Sequence, residues 1–289
     1  MDETPIGSIK ANGVMFRYLE AGEGPLVLCL HGFPDNAYTF CRMMSDLADA
    51  GFRVVAPFMR GYAPTEVPSD GRYQSAVLGM DVLALIQALG AERAALVGHD
   101  WGAEAALGAA ALEPTRVTKL VTLDDCHPGA ADTKDFNYLR GVWHSYYFQH
   151  PDAEETVSHN DFAFLEDWWR NASPEWDIPP ERIESVKETF RAPGVVKAAL
   201  DYYRHSLNQS LQDPALREAQ KRVDTSPISV PTLAMNGTRD RPGRLEAFQA
   251  TDSFFTGPLE KVVLQGAGHF THLERPEEVN RRIVKFFKS

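Results

Sequence analysis

The sequence predicts an α/β protein in which helices flank a mostly parallel central sheet and a helical segment interrupts the sheet-forming pattern. Two observations support this fold class. Short apolar runs bounded by Gly and Pro alternate with helical patterns through most of the chain, as in successive βαβ units. Residues 128–226, in contrast, contain no β-rich run and are crowded with aromatic side chains.

The regular elements follow from these apolar patterns. A helical spacing of Leu and Val between Leu78 and Leu89 predicts a helix that packs on the sheet. Pro276 predicts the first turn of a last helix, because proline suits that position and acidic residues follow it. The predicted strands are Phe16–Leu19, Leu26–Leu30, Val54–Ala56, Ala94–Val97, Leu120–Leu123, Thr232–Met235 and Lys261–Leu264.

The helical segment divides the predicted core. We expect a core of residues 1–127 and 227–289, interrupted by a helical lid at 128–226. Open α/β sheets bind ligands outside the carboxyl ends of their strands, so the lid is expected to lie there and shape a pocket. Most lid aromatics are expected to pack within the lid itself, whereas Trp143, Tyr147 and Tyr203 are predicted to contact substrate.

Composition excludes several classes of partner. The chain has 44% hydrophobic and 24% charged residues and a formal net charge of −11, which disfavours binding to nucleic acid or anionic lipid. No signal-peptide pattern opens the sequence, and no apolar run reaches the roughly 18 residues of a membrane span. We therefore expect a cytoplasmic protein whose partner is a small-molecule substrate and not a charged polymer, and the sequence leaves open whether it is a monomer or a homodimer.

The most informative motif is Gly98-His99-Asp100-Trp101-Gly102, which lies between an apolar run and an alanine-rich stretch. In a G-x-S-x-G elbow between strand and helix the central residue is a serine nucleophile, and here that residue is Asp100. A carboxylate attacking an acyl group would form only a labile anhydride. Attack on a saturated carbon that bears a leaving group gives an alkyl ester, so the elbow predicts an epoxide or alkyl halide substrate.

Further motifs extend this interpretation along the chain, and together they resemble α/β-hydrolase-fold epoxide hydrolases. The resemblance spans nearly the whole chain and implies an α/β-hydrolase fold with a lid, an epoxide substrate and no metal or organic cofactor. Ala63 departs from the family, which usually has Gly after Arg-Gly-Tyr. In the family's order, the motifs are His31-Gly32-Phe33-Pro34, Met59-Arg60-Gly61-Tyr62, the Asp100 elbow, Asp201-Tyr202-Tyr203-Arg204, Gly237-Thr238-Arg239-Asp240 and Gly268-His269.

Three candidate groups surround the nucleophile. The backbone amides of Phe33 and Trp101 are predicted to form an oxyanion hole, and both side chains are predicted to contact substrate. His269 follows the last predicted strand and is the expected base, since an imidazole takes a proton from water near neutral pH.

Two carboxylates compete to orient His269. Asp240 follows the strand Thr232–Met235 and resembles the acid position of epoxide hydrolases. Asp124 ends the preceding strand and resembles the position used by haloalkane and fluoroacetate dehalogenases. The sequence favours Asp240, because a carboxylate at position 124 has a structural alternative, a hydrogen bond to a neighbouring turn.

Ring opening also needs a proton donor to the departing oxygen, since an alkoxide in a dry pocket is costly. Tyr203 resembles one of the two lid tyrosines of the family, and His144 falls at the position of the other. A His/Tyr pair resembles the bacterial inhibitory-factor-like branch of these enzymes. Tyr146 or Tyr147 is the alternative donor if the motif is aligned differently.

The sequence alone leaves two other functions open. A haloalkane dehalogenase would share the Asp100 nucleophile, with the Trp101 indole N–H binding the halide. A ligand-binding protein without catalysis would keep the fold alone. The sequence does not identify the epoxide, its regiochemistry or its enantioselectivity.

Overall fold

The computed structural model describes residues 6–240 and 245–289. Within them a single eight-stranded sheet has the order β1-β2-β4-β3-β5-β6-β7-β8. β1 and β2 pair antiparallel to their neighbours, and β3 to β8 are parallel, which confirms the predicted α/β class. The strands are β1 (Ile6–Ala11), β2 (Val14–Ala21), β3 (Leu26–Leu30), β4 (Arg53–Pro57), β5 (Ala94–His99), β6 (Val117–Leu123), β7 (Thr232–Gly237) and β8 (Leu259–Leu264).

Strand β1 is absent from the sequence prediction. It forms a hairpin with β2 through Asn12 and Gly13, which have φ values of 44° and 80°. An Asn-Gly pair between alternating residues is the usual signal for a two-residue hairpin turn, because both central residues need positive φ. The signal was therefore present in the sequence.

Helices cover both faces of the sheet, and the predicted helices at Leu78–Leu89 and after Pro276 are present as α2 and α12. One apolar cluster joins the sheet to α2, α3 and the helices between β6 and β7, and a second joins it to α1 and α12. The helices are α1 (Cys41–Asp49), α2 (Ser75–Ala88), α3 (Trp101–Leu112), α4 (Phe136–Gly141), α5 (Trp143–Tyr147), α6 (Ala153–Ala172), α7 (Pro180–Arg191), α8 (Val195–Leu207), α9 (Arg217–Thr225), α10 (Leu245–Ala250), α11 (Thr271–Glu274) and α12 (Pro276–Lys288).

Helices α4 to α9 lie between β6 and β7, and residues 124–231 contain no strand of the sheet. Helices α5 to α8 pack on one another. Helix α9 instead packs on α2 and α3, with Val223 against Ala76 and Leu112. The division of the chain at residues 127 and 226 stays a prediction.

The helical segment is joined to the loop after β3 by polar contacts. The Trp169 indole N–H donates to the carbonyl of Pro34 at 2.7 Å, and the side-chain amide of Asn36 donates to the carbonyl of Ser185 at 3.0 Å. Arg182 on α7 forms an ion pair with Asp35. None of the helices in the described ranges is both long and apolar enough to cross a bilayer.

Candidate active site

The turn from β5 to α3 projects the Asp100 carboxylate above the ends of the strands. Asp100 has a φ of 51°, a left-handed conformation that is unusual for a residue other than glycine. A Cβ atom on Gly102 would lie 1.9 Å from the carbonyl oxygen of Leu30, and one on Gly98 would lie 2.3 Å from that of Gly102. Both glycines are therefore required for this close packing, as the elbow motif predicts.

The loop after β3 brings a hydrogen-bond donor to this carboxylate. The backbone N–H of Phe33 donates to Oδ1 of Asp100 at 2.8 Å. Gly32 allows this approach, because a Cβ there would lie 2.3 Å from the same oxygen. Trp101 opens α3, where backbone N–H groups have no acceptor within the helix and are available to an anion.

His269 lies between two carboxylates in the loop after β8. Its Nδ1 is 3.0 Å from Oδ1 of Asp240, and its Nε2 is 3.5 Å from Oδ2 of Asp100. Burial alone would lower the pKa of His269, but the negative charges of Asp240 and Asp100 raise this pKa well above its usual range. Burial would likewise raise the pKa of Asp100, but the bond to His269 and its charge lower that pKa to about 2.

Asp124 lies nearby but binds other groups. Its Oδ1 accepts from the Gly237 amide at 3.2 Å, and its Oδ2 accepts from the Thr271 amide at 3.0 Å and hydroxyl at 2.6 Å. Burial and the negative charge of Asp240 raise the pKa of Asp124 well above its usual range. These bonds tie the end of β6 to β7 and α11, whereas Asp240 is the carboxylate hydrogen-bonded to the imidazole.

Two further histidines support the loops of this candidate site. The His31 Nε2 accepts from the Met59 amide at 2.9 Å, and the His99 Nε2 donates to the His269 carbonyl at 2.8 Å. Burial lowers the pKa of each to about 4, so both imidazoles are neutral near pH 7.

A cavity of about 230 Å³ opens above the elbow. Asp100, Trp101 and His269 line it from the sheet side, and His144 and Tyr203 line it from α5 and α8. The rings of His144 and Tyr203 have centroids 5.5 Å apart, and the Tyr203 ring lies 5.0 Å from that of Trp101. The predicted nucleophile, base and lid donors therefore face a common space.

Three predicted substrate contacts lie elsewhere. The Phe33 side chain is fully buried among aromatic rings, although its amide reaches Asp100. Trp143 is 44% exposed and lines a separate groove beside Trp168. The hydroxyl of Tyr147 forms a hydrogen bond with that of Thr156 at 2.7 Å.

The short helix α5 directs His144 into the cavity. Its neighbours at positions 143 and 147 therefore lie outside the cavity lining.

Some residues of the site were missed by sequence reasoning. Glu104 lines the cavity one helical turn after Asp100, and this spacing was the signal for it. Trp168 packs its ring 5.5 Å from those of both His269 and His144. No local motif marks Trp168, because α6 meets the site only through tertiary packing.

With this fold and this elbow, the chain belongs to the alpha/beta hydrolase fold family, whose model matches residues 25–276. It is 30% identical to the AB hydrolase superfamily protein YfhM of Bacillus subtilis over 100% of both chains. It is also 30% identical to Epoxide hydrolase A of Mycobacterium tuberculosis, covering 96% of this chain and 95% of that one. The solved structure of Epoxide Hydrolase A from Mycobacterium thermoresistibile superposes with a TM-score of 0.82 at 27% identity, covering 99% and 98% of the two chains.

Proposed function

We propose that this protein is an epoxide hydrolase that opens an epoxide to a vicinal diol through an ester on Asp100. The observation that carries the proposal is that a carboxylate held by the Phe33 amide lines the same cavity as Tyr203 and His144. The relatives named as epoxide hydrolases support the same activity.

In the first step an oxygen of Asp100 attacks a ring carbon of the epoxide. Asp100 is ionised at neutral pH, because its pKa is lowered to about 2. The Phe33 amide already holds Oδ1, so Oδ2 is the attacking atom and Oδ1 becomes the ester carbonyl oxygen. The C–O bond of the ring breaks, and its electron pair goes to the ring oxygen, which takes a proton from Tyr203 or His144.

In the second step His269 removes a proton from water, and the resulting hydroxide attacks the carbonyl carbon of the ester. The charge that develops on Oδ1 is stabilised by the amides of Phe33 and Trp101, at about 3 kcal/mol for each such donor in comparable sites. The ester bond then breaks, the departing Oδ2 takes the proton that His269 removed from water, and the diol leaves with Oδ2. Asp100 keeps the oxygen from water, and the second water proton returns to the lid donor, so that each group regains its resting state. Asp240 orients the imidazole and stabilises its protonated form.

Formation of the ester also prepares His269 for this step. The negative charge of Asp100 is one of the groups that raise the pKa of His269. Alkylation neutralises Asp100, so the pKa of His269 falls and the imidazole releases its proton more readily.

A single turnover in water enriched in oxygen-18 tests the proposal. Enzyme in excess over a small epoxide panel should release unlabelled diol and gain the heavy isotope in the peptide that contains Asp100. Heavy oxygen in the diol of the first turnover, with none in the peptide, would show direct attack by water. The variant His269→Gln should accumulate the ester, which intact-mass spectrometry detects.

A haloalkane dehalogenase is the second candidate, and one observation favours it. The indole Nε1 of Trp101 is buried and has no hydrogen-bond partner among residues 6–240 and 245–289, and Trp101 lines the cavity. An N–H in this position could bind a departing halide. Halide release from chloroalkanes and bromoalkanes, compared with diol formation from epoxides of matched size, separates the two activities.

A further inference from the structure

Three buried side chains from separate segments of the chain converge beside the candidate active site. Asp35 follows β3, His99 ends β5, and His272 lies on α11. Their exposed fractions are 0%, 0% and 4%. One polar atom from each residue lies within 4.8 Å of the corresponding atoms of the other two.

Each side chain already uses its other polar atom. The Nε2 of His99 is 2.8 Å from the His269 carbonyl oxygen, and the Nε2 of His272 is 2.7 Å from the Thr39 hydroxyl. Oδ1 of Asp35 accepts from the backbone N–H of Asn36 at 2.8 Å and from the Arg182 guanidinium. The remaining atoms are Nδ1 of His99, Nδ1 of His272 and Oδ2 of Asp35, all buried and without a hydrogen-bond partner in the described part of the chain.

These three atoms share a chemical character. A carbonyl oxygen can only accept, so Nε2 of His99 carries the hydrogen and Nδ1 presents a lone pair. If Nε2 of His272 donates to Thr39, its Nδ1 also presents a lone pair. Asp35 adds a carboxylate oxygen. One water molecule can donate to only two of three acceptors, whereas a cation can bind all three.

We propose that Asp35, His99 and His272 form a binding site for a divalent transition metal ion of the zinc class, outside the reaction itself. Two imidazole nitrogens and one carboxylate oxygen are a ligand set that such ions use repeatedly. Metal-binding histidines usually donate their other ring N–H to a carbonyl or another fixed acceptor, and His99 has this arrangement with His269.

The spacing of the three side chains is compatible with such an ion, since one possible ligand atom from each lies within 4.8 Å of those of the other two. Three atoms within 4.8 Å of one another lie at most about 2.8 Å from their common centre. Bonds from zinc to nitrogen or oxygen are about 2.0–2.2 Å long, so each atom moves by less than about 1 Å on binding. Arg182 shares the Asp35 carboxylate through the other oxygen, and its positive charge weakens the site relative to an unpaired carboxylate.

Occupancy would link three segments of the chain that carry the proposed catalytic groups. Asp35 is two residues from Phe33, His99 precedes Asp100, and His272 is three residues from His269. A ligand that binds only the folded state stabilises it in proportion to the logarithm of its concentration over Kd. We therefore expect the bound metal to raise the melting temperature.

The test uses the whole protein, dialysed against a chelator and then equilibrated with Zn²⁺ or Co²⁺. Elemental analysis after desalting should give about one metal ion per chain, and the melting temperature should rise by several degrees with saturating Zn²⁺. Bound Co²⁺ should show visible absorption bands of nitrogen and oxygen coordination. The variant His272→Gln should lose the bound metal and the thermal shift, and Asp35→Asn should do the same if His272→Gln folds poorly.

The matched control is His150→Gln, because His150 is an exposed histidine beside an acidic residue, Asp152. This variant should keep the metal content and the thermal shift of the wild type. Wild-type protein that retains no metal, or a shift that survives in both His272→Gln and Asp35→Asn, would overturn the proposal. The result is independent of the proposed hydrolase activity, since none of these measurements uses an epoxide.

Discussion

The Nε2 atom of His269 lies 3.5 Å from Oδ2 of Asp100, so the proposed base and the proposed nucleophile are paired before any substrate binds. This pairing contributes to both pKa shifts, since it raises the pKa of His269 and lowers that of Asp100. A protonated imidazole beside an ionised carboxylate suits the first step, in which Asp100 must be anionic. It does not suit the second step, in which His269 must accept a proton.

The first prediction concerns the titration of His269. In the resting enzyme its pKa should lie well above 6.5, and Asp100→Asn should lower it, because the variant removes one of the two charges that raise it. NMR of ring-labelled histidine measures both values. The rate of ester hydrolysis should rise with pH as His269 loses its proton. An unchanged His269 pKa in Asp100→Asn would contradict the pairing.

The second prediction separates Asp240 from Asp124. Asp240→Asn should slow ester hydrolysis by about 10²–10⁴-fold, because the imidazole loses the carboxylate that orients it and stabilises its protonated form. Asp124→Asn should leave hydrolysis within about 10-fold of wild type and lower the free energy of unfolding by about 2–4 kcal/mol, since Asp124 accepts three buried hydrogen bonds.

Rapid-quench mass spectrometry of the alkylated enzyme and urea unfolding give the two readouts. Ester accumulation in Asp124→Asn, with rapid turnover in Asp240→Asn, would reverse the assignment. Both variants preserve side-chain volume, so neither result can be attributed to a cavity.

The sequence could predict elements whose signal is local. β3 matches its predicted bounds, because a fully buried parallel strand is a continuous apolar run between turn residues. β1 was missed because it lies at the edge of the sheet and alternates exposed and half-buried residues without such a run, although the Asn12-Gly13 turn was a local signal for it. The elbow could also be predicted from the sequence, since its glycines and its proposed nucleophile lie within five consecutive residues.

Two features of the candidate site depend on tertiary contacts and could not be predicted from the sequence: which carboxylate binds His269, and which residues of α5 face the cavity. Asp240 and Asp124 both follow strands that are neighbours in the sheet, and nothing local distinguishes which one reaches His269. The bonds that occupy Asp124 come from Gly237 at the end of β7 and from Thr271 at the start of α11, which are distant from Asp124 in sequence. For the same reason, the pattern around His144 could not tell which residues of α5 face the cavity.

The third prediction concerns the two lid donors. Tyr203→Phe should slow alkylation of Asp100 by about 10²–10⁴-fold, because the leaving oxygen loses a proton donor. Tyr202→Phe is the matched control, since Tyr202 adjoins Tyr203 but donates its hydroxyl to the Arg60 carbonyl at 2.8 Å. His144→Phe should slow alkylation and remove the part of its pH dependence that comes from an imidazole.

Stopped-flow quenching of tryptophan fluorescence or rapid-quench mass spectrometry measures alkylation directly. Equal rates for Tyr203→Phe and Tyr202→Phe would exclude Tyr203 as a donor. If His144→Phe reacts at the wild-type rate while Tyr146→Phe is slow, the second donor is Tyr146, which also lines the cavity.

The fourth prediction concerns acid stability and the buried His31. Its pKa is about 4 in the folded protein, where burial disfavours the charged ring, against about 6.5 in the unfolded chain. Between these two pH values the unfolded state binds the extra proton. The free energy of unfolding should therefore be unaffected by His31 above pH 6.5 and should fall by up to about 1.4 kcal/mol per pH unit below it.

The opposite shift of His269 does not cancel this loss within the same window. A raised pKa contributes stability that is fully present below the unfolded value and is lost only at higher pH, so its contribution is constant between pH 6.5 and 4. Urea unfolding of His31→Asn across this range should give a shallower decline than wild type, although its stability at pH 7 is lower because the Met59 amide loses an acceptor. The exposed control His150→Gln should retain the wild-type slope, and an identical slope in His31→Asn would show that His31 does not hold a neutral ring in the folded protein.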